Sequence, residues 1–334
     1  MKKIIIKGLF LFILFGYITQ SYAQEQSIGH SPFYEQPSKS QKIVEQPPLK
    51  WLQQMQQAQH QQDYEIAFIN VHFNDIKSLR YRHISFDGND YAQMITLEGS
   101  QQEILRRNDL VGYFQPNFQS FSLKASHIID YLPSILRGNL KDISQQYDFI
   151  NIGLNRIADR LVHTIKIIPK DNFRYQYMVF IDTESHLLLR SDILDRDGNL
   201  LEQYLVVNLV LNNNVASLAK YFSQVKFPPL LPEEKKNSEI FNWHPTWIPK
   251  GFKLINQSVE YSEGNKIESQ IYSDGMFSFS INISQKFIPN EPEKGWKQGT
   301  LTLYTINKNN RELTFTGQLP ILSAKRILED IQFK

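Results

Sequence analysis

Alternating apolar and polar residues run through much of the chain and predict antiparallel strands. The segment YEIAFINVHF (64–73) places Tyr64, Ile66 and Phe68 on one face, and FSFSINIS (277–284) alternates strictly between apolar and polar side chains. A period of two residues is typical of strands that bury one face against a core. The chain is therefore predicted to be mainly β.

A polar turn separates two of the predicted strands at residues 195–199. Apolar-rich segments, 186–194 and 200–212, flank the sequence DRDGN, in which Asp197-Gly198 readily adopts the positive φ angles of a tight turn. This pattern favours a hairpin. We expect the second strand to bury the face formed by Leu201, Leu205, Val207, Leu209 and Leu211.

Three other segments have helical spacing. Pro48 is well placed to start a helix over PLKWLQQMQQAQHQQ (48–62), and a second helical region is predicted within 128–147. A last helix is predicted within PILSAKRILEDIQF (320–333). The apolar stripe of the first helix is Leu49, Leu52 and Met55, and that of the last is Ile321, Ala324, Leu328 and Ile331.

The first residues predict export rather than structure. MKKIIIKGLFLFILFGYITQSYAQ has a basic start, a short apolar run, and small residues at Ser21 and Ala23. This pattern is typical of a secretory signal peptide, and the apolar run is too short to span a bilayer comfortably. We therefore expect the protein to be exported and cleaved after Ala23.

The order of these elements predicts an α+β protein with two domains. KFPPLLPEEKKNSE (226–239) combines prolines with a run of charges, which is typical of a linker. The predicted organisation is a signal peptide at 1–23, a disordered lead-in at 24–47, an N-terminal domain at 48–226, a linker at 227–239 and a small C-terminal domain at 240–334.

Composition and motifs narrow the function classes. The 334 residues carry a formal net charge of +2, so nothing indicates nucleic-acid binding by bulk electrostatics. The sequence has no cysteine, which excludes disulfides, thiolate metal sites and a cysteine nucleophile. It also contains no H-E-x-x-H, G-x-S-x-G, G-x-x-x-x-G-K or G-x-G-x-x-G motif. These absences remove every positive reason to propose an enzyme, although a dispersed catalytic triad would leave no such motif.

The acidic residues around Gly198 raise the alternative of a metal site. A calcium-binding EF-hand loop needs oxygen ligands at positions 1, 3, 5 and 12 around a glycine at position 6. With Gly198 at position 6, Asp195 and Asp197 are in place, but Ile193 stands at position 1 and Tyr204 at position 12. Two required ligands are missing, so the turn is favoured over a metal site.

Two groups of residues are candidates for binding. Arg80 and Arg82 share a strand face and could receive phosphates or carboxylates, because guanidinium groups suit both. Cross-strand ion pairs on a solvated edge are the favoured alternative. Trp243, Trp247 and Phe252, in WHPTWIPKGF, could bind a partner, since interfaces favour aromatic residues. They could also be an aromatic plug of the small domain.

Several segments resemble the MucB/RseB family of periplasmic regulators of the sigma-E envelope stress response. They are collinear and extend over about 49–333. The matching segments are LRYRH (79–83), YFQP (113–116), YDFINIGLNRIADR (147–160), DTES (182–185), DILDRDGNLLEQY (192–204), PTWIPKGF (245–252), YSDGMFSFSINI (272–283), GQLP (317–320) and AKRI (324–327).

The resemblance implies a fold and a function. The N-terminal domain should be an unclosed β-barrel of the lipoprotein-carrier type, and the C-terminal domain a sheet with a helix. The protein should bind, in the periplasm, the periplasmic part of a membrane anti-sigma factor and shield it from regulated proteolysis. Lipopolysaccharide or a related lipid should release it, and self-association as a homodimer is implied. Arg80 and Arg82 are then candidates to contact the phosphates of that lipid. Members of the family are not enzymes, so we expect neither catalytic residues nor a cofactor. A periplasmic carrier of lipids or lipoproteins is the alternative, and a metal-dependent hydrolase built on the acidic stretch is a third.

Overall fold

The computed structural model describes residues 46–72, 75–116, 118–212, 215–232, 239–262, 264–285 and 292–334. The predicted signal peptide and almost all of the predicted lead-in lie outside these residues, as does the middle of the predicted linker. Every structural feature given below lies within these residues.

Most of the N-terminal part forms one large antiparallel sheet. Its strands are β1 (Tyr64–His72), β2 (Asp75–Phe86), β3 (Asn89–Thr96), β4 (Glu103–Arg107), β5 (Leu110–Phe114), β6 (Phe121–Lys124), β7 (Tyr147–Ile157), β8 (Arg160–Pro169), β9 (Gln176–Asp182), β10 (Leu188–Leu194) and β11 (Leu200–Leu211). The helices of this part are α1 (Pro48–Gln61), α2 (Leu140–Gln146) and α3 (Val215–Gln224).

The order of the strands leaves the large sheet open. It runs β6-β5-β4-β3-β2-β1-β11-β10-β9-β8-β7, and each strand pairs antiparallel with its neighbour. Strands β6 and β7 are the two edges and, in the part of the chain that is described, do not pair with each other. The prediction of a large, mainly antiparallel and unclosed sheet is confirmed.

Helix α1 covers one face of this sheet, which we call the inner face. That face carries Leu79 and Tyr81, and α1 packs the buried side chains of Trp51, Leu52 and Met55 into the same core. The ring of Trp51 stacks on His163 of β8, with 4.5 Å between ring centroids. The predicted helix is confirmed, and it begins at Pro48, where a missing backbone N–H costs nothing.

Helix α3 was not predicted, and it packs on the opposite, outer face. Its residues Ala219 and Phe222 form a small cluster with Ile84, Tyr91 and Leu105. The rings of Tyr91 and Phe222 lie 5.8 Å apart. Strands β2 to β4 are therefore covered on both faces, which explains why their apolar residues do not alternate cleanly with polar ones.

The prediction for β11 is wrong for part of the strand. Tyr204 and Val206 are buried, whereas Val207 is 50% exposed. Ala67 of β1 pairs with Asn208 and Phe68 pairs with Val206, so Val207 is an extra residue in a β-bulge. A bulge exchanges the two faces of a strand, so Leu209 and Leu211 beyond it pack on the core, and Leu201 at the start of the strand also packs there.

The predicted helical region within 128–147 is only partly helical. Ser134–Leu136 forms a single 3₁₀ turn, and α2 begins after Asn139, whose side chain accepts hydrogen bonds from the backbone N–H groups of Lys141 and Asp142. The chain enters β7 directly at Tyr147. This segment crosses the inner face, because the Nε2 of Gln56 in α1 donates to the carbonyls of Ile135 and Gly138.

The C-terminal part forms a smaller antiparallel sheet with a helix. It contains β12 (Trp243–Pro245), β13 (Lys253–Ser262), β14 (Asn265–Ser273), β15 (Ser278–Ser284), β16 (Lys294–Gln298), β17 (Leu301–Lys308), β18 (Arg311–Gly317), α4 (Ile321–Glu329) and β19 (Ile331–Phe333). The main sheet has the order β13-β14-β15-β18-β17-β16, and β12 pairs with β19. A smaller sheet-and-helix unit is thereby confirmed.

The sequence pattern of the small sheet predicts its core correctly. Phe277, Phe279, Ile281 and Ile283 are all at most 2% exposed. The helix α4 buries Ala324 and Leu328, as its predicted stripe requires. The hairpin between β17 and β18 turns at Asn309-Asn310, where both residues have positive φ angles, of 52° and 57°. Asparagine tolerates this conformation better than most residues.

Candidate functional site

A cavity that both domains line lies where the two sheets meet. Its volume is about 450 Å³, and it is open to solvent. The inner-face residues Asn70, Tyr177 and Tyr204 form one wall, and the segment that contains the 3₁₀ turn forms another. The third wall comes from the small domain, through Met276, Ser278 and Gln318. A ligand in this cavity would contact both domains.

The rim of the cavity is polar and carries opposite charges. The Nδ1 of His72 lies 2.8 Å from the Oε1 of Glu202, and the same carboxylate accepts a hydrogen bond from Thr300 of the small domain. The Nζ of Lys77 lies 3.5 Å from the Oδ2 of Asp75 and donates a hydrogen bond to the hydroxyl of Tyr131. Apolar side chains also line the cavity, those of Leu132 and Ile193 and, at its exposed mouth, that of Ile129. Such a mixture suits an amphiphilic ligand.

A buried polar network holds the two domains together beside this cavity. Arg174 of the large domain forms an ion pair with Asp274 of the small domain at 2.9 Å, and both side chains are at most 1% exposed. The hydroxyl of Tyr147 donates to the same carboxylate at 2.6 Å. Burial, reinforced by the charge of Asp274, raises the pKa of Tyr147 well above its usual value, so the phenol stays protonated and remains a donor.

Aromatic packing completes the contact between the domains. The ring of Phe277, 1% exposed, lies 5.9 Å from that of Tyr175 and 5.3 Å from that of Tyr177. The hydroxyl of Ser134 donates to the carbonyl of Met276 at 2.6 Å. The domains are thus joined by dry packing and by specific hydrogen bonds, next to a cavity that both of them line.

Comparison with known proteins identifies this architecture. The model of the MucB/RseB N-terminal domain matches residues 47–231, and that of the MucB/RseB C-terminal domain matches residues 237–332. The chain belongs to the MucB/RseB family. Similar proteins include the sigma-E factor regulatory protein RseB of Haemophilus influenzae, 46% identical over 284 residues, which are 85% of this chain and 90% of that protein.

Other members of the MucB/RseB family are more distant in sequence but keep the fold. RseB of Escherichia coli K12 is 39% identical over 84% of this chain and 89% of that protein. The complex structure of Pseudomonas aeruginosa MucA/MucB contains a chain that aligns with 86% of this chain and 99% of its own length, with a TM-score of 0.69 at 18% identity. This agreement shows a shared MucB/RseB fold across both domains.

The two arginines predicted as lipid contacts lie on the outer face of β2. The Nε of Arg82 forms an ion pair with Glu65 at 2.5 Å across the strands, and its Nη1 donates to Gln93 at 3.1 Å. The Nε of Arg80 is buried without a hydrogen-bond partner. Neither residue lines the cavity between the sheets. A role in contacting lipid phosphates stays a prediction for both.

The three predicted partner-binding aromatics are mostly internal. Trp243 is 2% exposed and donates from Nε1 to Glu268 at 2.6 Å, and Phe252 is 6% exposed. Trp247 is half-buried and stacks with Arg326, whose guanidinium lies 3.8 Å from the centroid of the indole ring. Of the three, Trp247 has the most ring surface available, and its role in partner binding stays a prediction.

The acidic stretch around Gly198 forms the predicted turn between β10 and β11. The carboxylate of Asp195 accepts hydrogen bonds from the backbone N–H groups of Asp197 and Asn199 and from the amide of Asn199, all within 2.9 Å. These bonds hold the pKa of Asp195 below its usual value, although burial opposes them. Gly198 has a φ of 87°, as a tight turn requires.

Replacing Asp195 with alanine tests this structural role. The turn would lose three hydrogen bonds at an exposed site, and we expect stability to fall by about 1 kcal/mol. Partner binding should not change, because the residue does not line the cavity. Chemical denaturation measures the first effect and calorimetric titration the second. Loss of a bound divalent ion in the variant, detected by elemental analysis, would instead support the metal-site alternative.

Sequence-based reasoning did not identify the residues that line the cavity. His72, Glu202 and Met276 lie in three distant segments, and no catalytic or ligand-binding motif contains them, although Glu202 and Met276 belong to segments that resemble the MucB/RseB family. Each looks like an ordinary strand or turn residue, because only the pairing of β1 with β11 brings His72 opposite Glu202. In the described residues, no group of three or more potential metal ligands is present, and no helix is long and apolar enough to cross a membrane.

Proposed function

We propose that this protein is a periplasmic negative regulator of a sigma-E-type envelope stress response. It binds the periplasmic part of a membrane anti-sigma factor and shields that factor from regulated proteolysis. Lipopolysaccharide or a related lipid releases it. The observation that carries this proposal is membership of the MucB/RseB family through both domains, together with the similarity to MucB in its complex with MucA(peri).

The cavity between the two sheets suits a lipid signal. A volume of about 450 Å³ lies within the range of small-molecule sites and has room for part of an acyl chain. Each buried CH₂ group would contribute about 0.8 kcal/mol to binding. A lipid there would contact both domains, so it can favour one domain arrangement over another. A lipid and a protein partner that prefer different arrangements would exclude each other.

Calorimetric titration of the purified protein with the periplasmic domain of the anti-sigma factor tests the proposal. We expect a saturable complex, and we expect added lipopolysaccharide to weaken it. If no complex forms at any lipid concentration, the regulator proposal is wrong. Depletion of the protein in cells separates the carrier alternative, since a carrier would mislocalise lipoproteins, whereas a regulator would change the stress response.

A charge at the mouth of the cavity should make the regulator less sensitive to lipid. Ile129 lines the cavity and is 56% exposed, so an Ile129→Asp variant should still fold. Its carboxylate would repel an acyl chain and the phosphates of the lipid, and a severalfold higher lipopolysaccharide concentration should then be needed for release. Ile240→Asp, at a residue that is 86% exposed and outside the cavity, is the matched control.

A further inference from the structure

A second, smaller cavity beneath α1 has an unusual lining of basic side chains. They come from the end of α1, from β2 and β4, and from the segment that precedes and follows the 3₁₀ turn. The basic residues are His60, His83, Arg106, His127 and Arg137. No aspartate or glutamate is among the described residues that line this cavity. We call these five residues the basic cluster.

The base of the cavity is formed by two almost fully buried groups. His83 is 1% exposed and Arg106 is 5% exposed. Ala92 of β3 lies between them, because it pairs with His83 of β2 on one side and with Arg106 of β4 on the other. The Nδ1 of His83 donates to the carbonyl of Gln62 at 2.8 Å, which leaves Nε2 without a partner. Arg106 donates only from Nη1, to the carbonyl of Asn108 at 3.3 Å, and its Nε has no partner.

The mouth of the cavity is formed by the other three members of the basic cluster. Arg137 is half-buried, and its Nη1 is buried without a hydrogen-bond partner. It also lines the large cavity between the sheets, as does Leu132, so the two cavities are neighbours. His60 is exposed in the last turn of α1, and His127 is half-buried. Basic groups therefore extend from the core to the surface.

In the described part of the chain, no member of the basic cluster forms an ion pair, although the charge of Asp90 acts on His83. Burial lowers the pKa values of His83 and His127, and the positive charge of Arg106 lowers both further. Asp130 is near Arg137, but it accepts its hydrogen bond from Tyr113 at 2.7 Å. An arginine stays charged in a protein, and a buried charge without a partner costs stability. An anion in the cavity would remove that cost.

We propose that the basic cluster binds a phosphate group. Arg106 and Arg137 each present a guanidinium nitrogen that has no partner among the described residues, and guanidinium groups bind phosphate oxygens by charge-assisted hydrogen bonds. The volume of this cavity is about 20 Å³, on the same measure that gives about 450 Å³ for the cavity between the sheets. It therefore suits a single oxyanion and excludes an acyl chain. The phosphate is either a free ion or the phosphomonoester of a lipid whose chains enter the neighbouring large cavity.

This inference deepens the proposed function, and only its lipid part rests on that function. Calorimetric titration of the exported chain with inorganic phosphate, at constant ionic strength in chloride, tests the site directly. We expect saturable binding of one phosphate per chain. Arg137→Gln should weaken it at least about tenfold, because a charge-assisted hydrogen bond is lost. Arg156→Gln, which removes the same charge from an arginine that is 70% exposed, should bind phosphate like the unchanged protein.

Further variants keep the test decisive. Arg106→Gln should abolish phosphate binding, and Arg137→Lys, which keeps the charge, should restore part of what Arg137→Gln loses. Circular dichroism establishes that each variant is folded, and if Arg106→Gln does not fold, the two variants at Arg137 carry the test. Absence of saturable phosphate binding by the unchanged protein, or equal affinity of Arg137→Gln and Arg156→Gln, would overturn the proposal.

A lipid arm of the experiment identifies the source of the phosphate. Dihexanoyl phosphatidic acid carries a phosphomonoester, and dihexanoyl phosphatidylcholine does not. Competition with inorganic phosphate by the first alone supports a lipid headgroup, and competition by neither supports a free ion. Competition by both equally contradicts a phosphomonoester site. Because no anti-sigma domain is present, failure here leaves the proposed regulator function untouched, and failure to bind that domain leaves the phosphate site untouched.

Discussion

Replacing Asp274 with alanine is expected to lower the free energy of unfolding by about 3–5 kcal/mol, because the buried Arg174 loses its buried ionic partner and keeps only Asp171, which is 24% exposed. Asp274 accepts hydrogen bonds from Arg174, from the hydroxyl of Tyr147, and from the backbone N–H groups of Met276 and Phe277. All of these donors would lose their acceptor in a site closed to water. Thermal or chemical unfolding followed by circular dichroism measures the loss.

Asp159→Ala provides the matched control for that experiment. Asp159 also forms an ion pair with an arginine, Arg156, but the two side chains are 90% and 70% exposed. Exposed ion pairs contribute about 0–1 kcal/mol, so this variant should remain close to the unchanged protein. If the two variants were equally stable, the Arg174–Asp274 pair would not be what fastens the small domain to the large one.

Replacing Phe277 with alanine is expected to cost about 3–5 kcal/mol, since a large aromatic side chain is removed from a packed core. The ring is 1% exposed and contacts Tyr175 and Tyr177 of the other domain. The variant should therefore both lower the unfolding midpoint and loosen the contact beside the large cavity. Denaturant unfolding gives the first effect, and faster proteolysis between the domains gives the second.

A phenylalanine on the surface serves as the comparison for Phe277. Phe118 is 74% exposed, so Phe118→Ala removes the same atoms without leaving a cavity in the core. Its stability should change by less than about 0.5 kcal/mol. A loss as large as that of Phe277→Ala would contradict the difference in burial between the two rings.

The periodic parts of the fold were predictable because each has a single, simple environment. Strand β15 has one face in the core and one in solvent, and its sequence alternates accordingly from Phe277 to Ser284. The turn at Asp197-Gly198 and the start of α1 at Pro48 depend on local backbone preferences alone. The similarity of collinear segments to the MucB/RseB family predicted the open sheet and the small domain.

Other parts depended on contacts that no local pattern contains. The bulge at Val207 follows from the pairing of β11 with β1, and it moves the buried face from even-numbered to odd-numbered residues in the middle of the strand. Helix α3 packs its apolar residues on an apolar surface that the outer face of β2 to β4 presents. Tertiary packing determines whether such a short helix forms, since its intrinsic stability in water is marginal.

The sequence by itself determined the predominance of antiparallel strands, most of the apolar core positions, the turn chemistry and the family, because these depend on periodicity, on backbone preference and on collinear segments. Only the tertiary structure decided which polar residues lie together. His60, His83, Arg106, His127 and Arg137 are separate in the sequence and individually unremarkable, but they share one cavity. The physical reason is that the folded chain determines which charges are buried side by side, and therefore which of them still need a partner.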